Sequence, residues 1–126
     1  MKTSSKIAVF LGICLFVFAG VLNGEESLRM QVSPTMSRAP ALLTVRINVE
    51  AAADNRLLQV VAESADFYRS SQVQLEGKGS MPLQVFEFRN LPTGLYYVTG
   101  VLVGVNGPRA TVSRVAKVEP AVGSAR

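Results

Sequence analysis

Leu43-Thr44-Val45-Arg46-Ile47-Asn48-Val49-Glu50 is the stretch that decides the architecture. Four apolar residues alternate with four polar ones. Side chains alternate across a strand, so Leu43, Val45, Ile47 and Val49 share one face, and no helical face could collect them. Arg46 runs in phase with Thr44 and Glu50 and reads as an outward charge. Ala51-Ala52-Ala53-Asp54-Asn55 follows as a turn, because Asp and Asn side chains bond nearby backbone there.

The same period extends in both directions. Upstream, Leu28, Met30 and Val32 alternate with Arg29 and Gln31. This is one possible strand inside a linker that also carries Ser33, Pro34, Thr35, Ser37 and Pro40. Downstream, Arg56 to Ala62 is a second strand, with Leu58, Val60 and Ala62 on one face and Leu57 and Val61 on the other. Tyr68 to Glu76 reads as an edge-like strand around Val73 and Leu75. Gly77-Lys78-Gly79-Ser80 is a hairpin turn. Leu83 to Arg89 is a strand with Phe86 and Phe88 inward. Leu95 to Val103 is long and rich in Tyr and Val. Asn106-Gly107 is a hairpin signal, and Pro108 weakens the immediate restart of pairing. In the last strand, Thr111 to Val118, the apolar phase slips, which predicts a bulge near Ser113-Arg114. No stretch after residue 25 has a 3.6 period. About seven short strands with turn signals between them predict an all-β antiparallel sandwich.

The chain has 126 residues, 48% hydrophobic and 17% charged, which suits one domain and excludes a disordered chain. Its first two dozen residues differ from the rest. Lys2 and Lys6 precede an uncharged run from Ile7 to Leu22. That run is short for a membrane span and suits a secretory leader, cut after Ala19 or after Gly24. An uncleaved anchor is the alternative. Cys14 matches a lipobox only through Leu11. Cleavage removes Lys2 and Lys6 from the 13 Lys and Arg, leaving 11 bases against 9 acids. A net +2 with scattered Arg29, Arg38, Arg46, Arg56, Arg69, Arg89, Arg109 and Arg114 is no nucleic-acid footprint. Cleavage also removes the sole Cys, so a mature chain holds itself by its core.

The division that follows is a signal peptide with a helical core over 1–24, a linker with a possible first strand over 25–40, the sandwich over 41–119 and a flexible tail over 120–126.

Phe86-Glu87-Phe88-Arg89-Asn90-Leu91-Pro92-Thr93-Gly94-Leu95-Tyr96-Tyr97-Val98 resembles the L-P-x-G-x-Y-x-V signature of bacterial immunoglobulin-like and fibronectin type III-like modules. A similar run closes carboxypeptidase regulatory-like domains. The resemblance covers residues 40–118 in strand pattern and about a dozen residues in motif. It implies an immunoglobulin-like sandwich in which Leu91, Pro92 and Gly94 turn the chain between sheets. Tyr96 packs inward there, with its hydroxyl bonded to backbone at the corner. The chain lacks the Cys pair and core Trp of antibody domains.

With no His in the chain, a His general base and the usual zinc sites are excluded. Lys78 reads as a solvated turn residue. Gly77 to Ser80 lacks the spacing of a phosphate loop and has no helix after it. Asp54, Glu63 and Asp66 are the candidate acids of a small hydrolase, or with Asn55 of a calcium site, but they lack the spacing of either. Catalytic, cofactor and metal residues are therefore none. Tyr68, Tyr97 and Phe67 are the aromatic candidates of a carbohydrate-binding alternative. If Tyr96 points inward, Tyr97, Val101 and Val103 point outward beside Leu57 and Val61. These five residues would form an apolar patch, with Tyr97 as its anchor. The expectation is a secreted or periplasmic, non-enzymatic module. It would bind another protein or itself through that sheet face, without nucleic acid, and would meet the membrane only through an uncleaved leader.

Overall fold

The computed structural model describes residues 27–122. Eight strands are present among them: β1 Leu28–Ser33, β2 Met36–Arg38, β3 Ala41–Val49, β4 Asn55–Glu63, β5 Tyr68–Gln74, β6 Leu83–Leu91, β7 Gly94–Gly104 and β8 Gly107–Glu119. They form a three-stranded sheet, β1-β3-β6, and a five-stranded sheet, β2-β8-β7-β4-β5. The expected leader helix and cleavage region lie outside the described residues. Among the described residues no helix is long and apolar enough to cross a membrane.

The deciding stretch lies in β3, the middle strand of the narrow sheet. Its burial alternates along its length as its sequence does, with Leu43, Val45 and Ile47 fully buried. β1 supplies Leu28, Met30 and Val32 to the same interior, and β6 supplies Phe86 and Phe88. The wide sheet contributes Leu58, Val60, Ala62, Tyr96, Val98 and Leu102 from its inner strands. One core forms because each sheet buries one face against the other. Gly100 faces the narrow sheet across the core. A Cβ built there would lie 2.8 Å from the Met30 Cε and 3.4 Å from the Ile47 Cδ1. Glycine at that inward position leaves room for Met30 to cross from the opposite sheet.

Four features differ from the sequence expectation. First, the stretch read as a linker holds two strands. β1 joins the narrow sheet, then the chain crosses to the wide one, where β2 runs parallel to β8 with Met36 opposite Lys117 and Arg38 opposite Glu119. The sandwich is therefore not purely antiparallel. Three residues around Ser37 carry no apolar alternation, so the pattern could not reveal them.

Second, Gly77 to Gly79 is a single 3-10 turn and not a hairpin. It carries the chain from β5 in one sheet to β6 in the other. Gly77 has φ +61, and a Cβ there would lie 2.9 Å from the Ala53 carbonyl oxygen, so the glycine is needed twice over.

Third, β8 has no bulge at Ser113-Arg114. Ala110, Val112, Ala116 and Val118 keep one inward phase throughout, and Val115 faces out opposite Tyr97. The slip in apolar phase is an outward valine. The irregularity lies at Arg109, where the register shifts between Leu102 and Val103. Fourth, Pro108 does not delay the pairing, since it sits opposite Val103 within the ladder. Gly107 at φ +112 closes the hairpin around Val105 and Asn106.

Candidate functional site

The Pro-Gly corner links the sheets. Leu91 ends β6 fully buried, and Tyr96 enters the core from β7 with none of its surface exposed. The Tyr96 hydroxyl donates to the Pro92 carbonyl at 2.7 Å. Phe67 stands edge-on to the Tyr96 ring at 6.2 Å, and the Arg69 guanidinium lies 5.0 Å from the Phe67 ring centre. Ser64 lines the same corner, 3.1 Å from where a Cβ on Gly94 would sit. Burial pushes the Tyr96 phenol above its ordinary value, and the Ser64 side chain and the Arg69 charge pull it part of the way back. This corner ties the fold together. Phe67 is used here and is not part of an exposed aromatic platform.

The structure does bring the five apolar residues onto one outward face of the wide sheet. β4 and β7 pair with Leu57 opposite Val103, Gln59 opposite Val101, Val61 opposite Thr99 and Glu63 opposite Tyr97. Their exposure is uneven. Leu57, Val61, Val101 and Val103 are only half-exposed, and Tyr97 alone is open, at 51%. β4 and β7 are inner strands of the sheet, so each outward side chain is flanked on both sides by its neighbours'. Thr99 shares a hydrogen bond with Ser113, and Val101 lies between Gln59 and Thr111. Leu57 lies directly opposite Val103, with Val101 next along the same face, and Gln59, Glu63 and Thr99 stand among the apolar residues.

The candidate acids do not assemble. Asp54 precedes β4 and ion-pairs with Arg109 at 3.4 Å. Glu63 ends the same strand, about 30 Å away at strand rise. Asn55 is buried. Its amide donates to the Glu50 carbonyl at 2.9 Å, and its carbonyl oxygen accepts from Arg109. These residues close the turn between β3 and β4. Lys78 lines a shallow hollow with Arg56 and Glu76, and no phosphate loop is formed.

A different group of residues does converge. Antiparallel pairing of β1 with β3 sets Gln31 opposite Arg46 and Ser33 opposite Thr44. These four outward side chains, with Val32 of β1 and with Pro34 and Thr35 from the crossing to β2, line an open cavity of about 620 Å³. Arg46 pairs with no acid among the described residues. Glu87, the nearest acid in register, lies opposite Thr44 and is held by Arg89 at 2.8 Å. The cavity thus offers one guanidinium uncompensated among the described residues, the hydroxyls of Ser33, Thr35 and Thr44, and the Gln31 carboxamide. That set suits a small oxyanion, since Arg presents a planar fork of donors. Sequence reasoning left Arg46 as a surface charge and the 33–35 segment as linker. The pairing register was the missing signal.

No protein-family model matches the sequence, and no curated protein matches it. Solved structures do resemble the fold. A superoxide reductase (neelaredoxin) from Ignicoccus hospitalis aligns at TM-score 0.56 and 16% identity, over 74% of this chain and 80% of that one. The CARDB domain of a Pyrococcus furiosus protein, in complex with di-metal ions, aligns at 0.50 and 13%, over 75% and 93%. A family 76 glycoside hydrolase from Bacteroides thetaiotaomicron aligns at 0.51 and 14%, over 72% of this chain and 20% of that one. The chain is therefore an all-β protein of two packed sheets with sandwich-like neighbours.

These neighbours overturn the expectation of a non-enzymatic module acting through an apolar sheet face. Superoxide reductases are enzymes, and they share the fold. At this identity the likeness defines the fold alone, so the fold is no ground for calling the chain non-enzymatic. Nor does a metal centre carry over. The chain has no His, Cys14 lies outside the described residues, and among those no three His, Cys, Asp or Glu come together.

Proposed function

We propose that the chain is an immunoglobulin-like module that holds a small oxyanion-bearing ligand, with a phosphate, sulfate or carboxylate group, in the cavity around Arg46. The immunoglobulin-like part is supported by the strand order and by the Tyr96–Pro92 hydrogen bond, the corner that such sandwiches use. The ligand reading is carried by one observation. Arg46, without an acidic partner among the described residues, opens onto a cavity of about 620 Å³ with Gln31, Ser33, Thr35 and Thr44 around it. A cavity of that size with a few convergent polar groups is the usual setting for a small-molecule site.

Titration with inorganic phosphate, sulfate and citrate, read by calorimetry and by amide chemical shifts, tests the reading. Saturable binding should shift the amides of residues 31–35 and 44–46. Arg46→Gln should weaken it about 10- to 100-fold, the usual span for a charge-assisted hydrogen bond. Absence of saturable binding, or binding indifferent to Arg46→Gln, would overturn it.

We further infer export to the periplasm or the exterior, from the two lysines and the uncharged run that follows them. Mass spectrometry of the exported protein should find its first residue between Gly20 and Glu25. Retention of residue 1 or 2 would sink the inference.

A further inference from the structure

Pairing sets a second guanidinium beside Arg46. Arg29 of β1 lies opposite Asn48 of β3, and Gln31 lies opposite Arg46. These four residues form a box on the outer face of the narrow sheet, with both arginines on one diagonal and both carboxamides on the other. All four are exposed. Diagonal neighbours on paired strands stand about 7–8 Å apart, within reach of long side chains.

The charge along this diagonal is one-sided. Among the described residues neither Arg29 nor Arg46 makes an ion pair. Toward β6, Arg46 faces Val85 and Asn48 faces Leu83, so no acid stands directly across from the box. Two acids border it. Glu87 lies opposite Thr44 and is held by Arg89 at 2.8 Å. Glu50 follows Asn48 by two residues on the same face and lines a small hollow with Ser27, Arg29 and Asn48. It stands beyond Arg29, about 13 Å along the strand from Arg46. Two like charges on one diagonal repel, and an anion laid along it relieves the repulsion while it pairs both. Each guanidinium presents a planar fork that fits a carboxylate or a phosphate.

We propose that this site takes a linear dianion, with one anionic group in the cavity at Arg46 and the other at Arg29. The Gln31 and Asn48 carboxamides flank the chain between the two groups. This ligand class rests on the oxyanion reading of Arg46 and narrows it to molecules with two carboxylate or phosphate groups on a short spacer. Glu50 limits the ligand at its Arg29 end, where a third anionic group would meet a carboxylate.

Three probes of equal chain length test it: adipate, hexanoate and 6-aminohexanoate. Each is titrated into the full chain and followed by the side-chain amide shifts of Gln31 and Asn48. Extended adipate separates its carboxyl carbons by about 6 Å, five zigzag C–C bonds of about 1.5 Å. That span fits between two guanidiniums rooted about 7–8 Å apart. Adipate should bind about 2- to 5-fold tighter than hexanoate, the yield of one further exposed ion pair. The advantage should shrink as salt is added. 6-Aminohexanoate, whose ammonium would face Arg29, should bind more weakly than adipate. Arg29→Gln should lower adipate to the level of hexanoate, and Glu50→Gln should tighten it. Phosphate binding that depends on Arg46, together with adipate no tighter than hexanoate, overturns the dianion and leaves the oxyanion reading standing. Adipate binding indifferent to Arg29→Gln overturns the dianion too, as does 6-aminohexanoate that binds as tightly as adipate. If phosphate and adipate both fail to bind, the oxyanion reading falls and the dianion with it. Should Arg29→Gln fail to fold, the three probes on the wild-type chain still decide the matter.

Discussion

The outer faces of the two sheets are built by the same alternation and differ in how much of each outward side chain is covered. The five-stranded sheet turns out Leu57, Val61, Val101, Val103, Tyr97 and Val115. The three-stranded sheet turns out Arg29, Gln31, Thr44, Arg46, Asn48 and Glu87, together with exposed Leu42, Leu83 and Val85. Sheet width explains part of the difference. A side chain on an inner strand of a wide sheet is flanked on both sides, so a valine there can be half-covered without any partner. The narrow sheet has one inner strand, and its outward positions stay open to water. Apolar composition on an outer face is thus a poor indicator of docking until the neighbouring strands are counted. The outer face of the narrow sheet, which carried no functional expectation, has the cavity with Arg46, unpaired among the described residues.

The comparison between inside and outside should break first at adjacent tyrosines. Tyr96→Ala should cost about 3–5 kcal/mol, as truncation of a large buried aromatic does, and Tyr97→Ala less than about 1 kcal/mol. Urea denaturation of both variants measures the gap. Equal losses would mean that the strand does not present alternate faces. A smaller effect is expected where the sheets touch. Gly100→Val should cost about 1–3 kcal/mol, because its branches must displace Met30 and Ile47. Preserved stability would show that the two sheets have slack there.

The corner hydroxyl comes next. Tyr96→Phe should cost about 1 kcal/mol for the lost bond to Pro92. It should also change the alkaline behaviour. The folded-state phenol titrates above its unfolded value of 10.0, chiefly because burial disfavours the phenolate. The wild-type protein therefore keeps this stability below pH 10.0 and loses it as pH rises through the raised value. Denaturation at about pH 9 and about pH 11 should show a steeper fall for wild type than for Tyr96→Phe.

The smallest effects sharpen the contrast between the outer faces themselves. Val101→Glu, between Gln59 and Thr111 on an inner strand, should cost about 1 kcal/mol. Val115→Glu on β8 and Arg46→Gln on the narrow sheet should each stay within about 0.5 kcal/mol. Thermal melts in one buffer would rank the three. Val115→Glu costing more than Val101→Glu would refute the account of lateral flanking.

Much of the fold was legible because its signals are local. Period-2 alternation from Leu43 to Val49 and the Pro92-Gly94 corner with Tyr96 behind it follow from side-chain geometry within a few residues. β2 was not legible, because three residues paired at a sheet edge have no periodicity to read. The phase of β8 misled because Val115, an outward valine, is indistinguishable in sequence from an inward one after a bulge. The Arg46 cavity was invisible for a different reason. Its members are 11 to 15 residues apart along the chain, and only the register of β1 against β3 makes neighbours of Gln31 and Arg46.

By itself the sequence determined which residues seek the interior, since the hydrophobic effect acts on each side chain wherever the strand goes. It also determined where the chain must turn, since Gly and Pro restrict φ locally. The tertiary structure alone decided which strands are inner and which are edges. That choice sets whether Val101 is half-covered and whether Arg46 finds an acid. Those outcomes depend on contacts between distant segments, whose pairing is chosen by the collective burial of both sheets and not by any one stretch of residues.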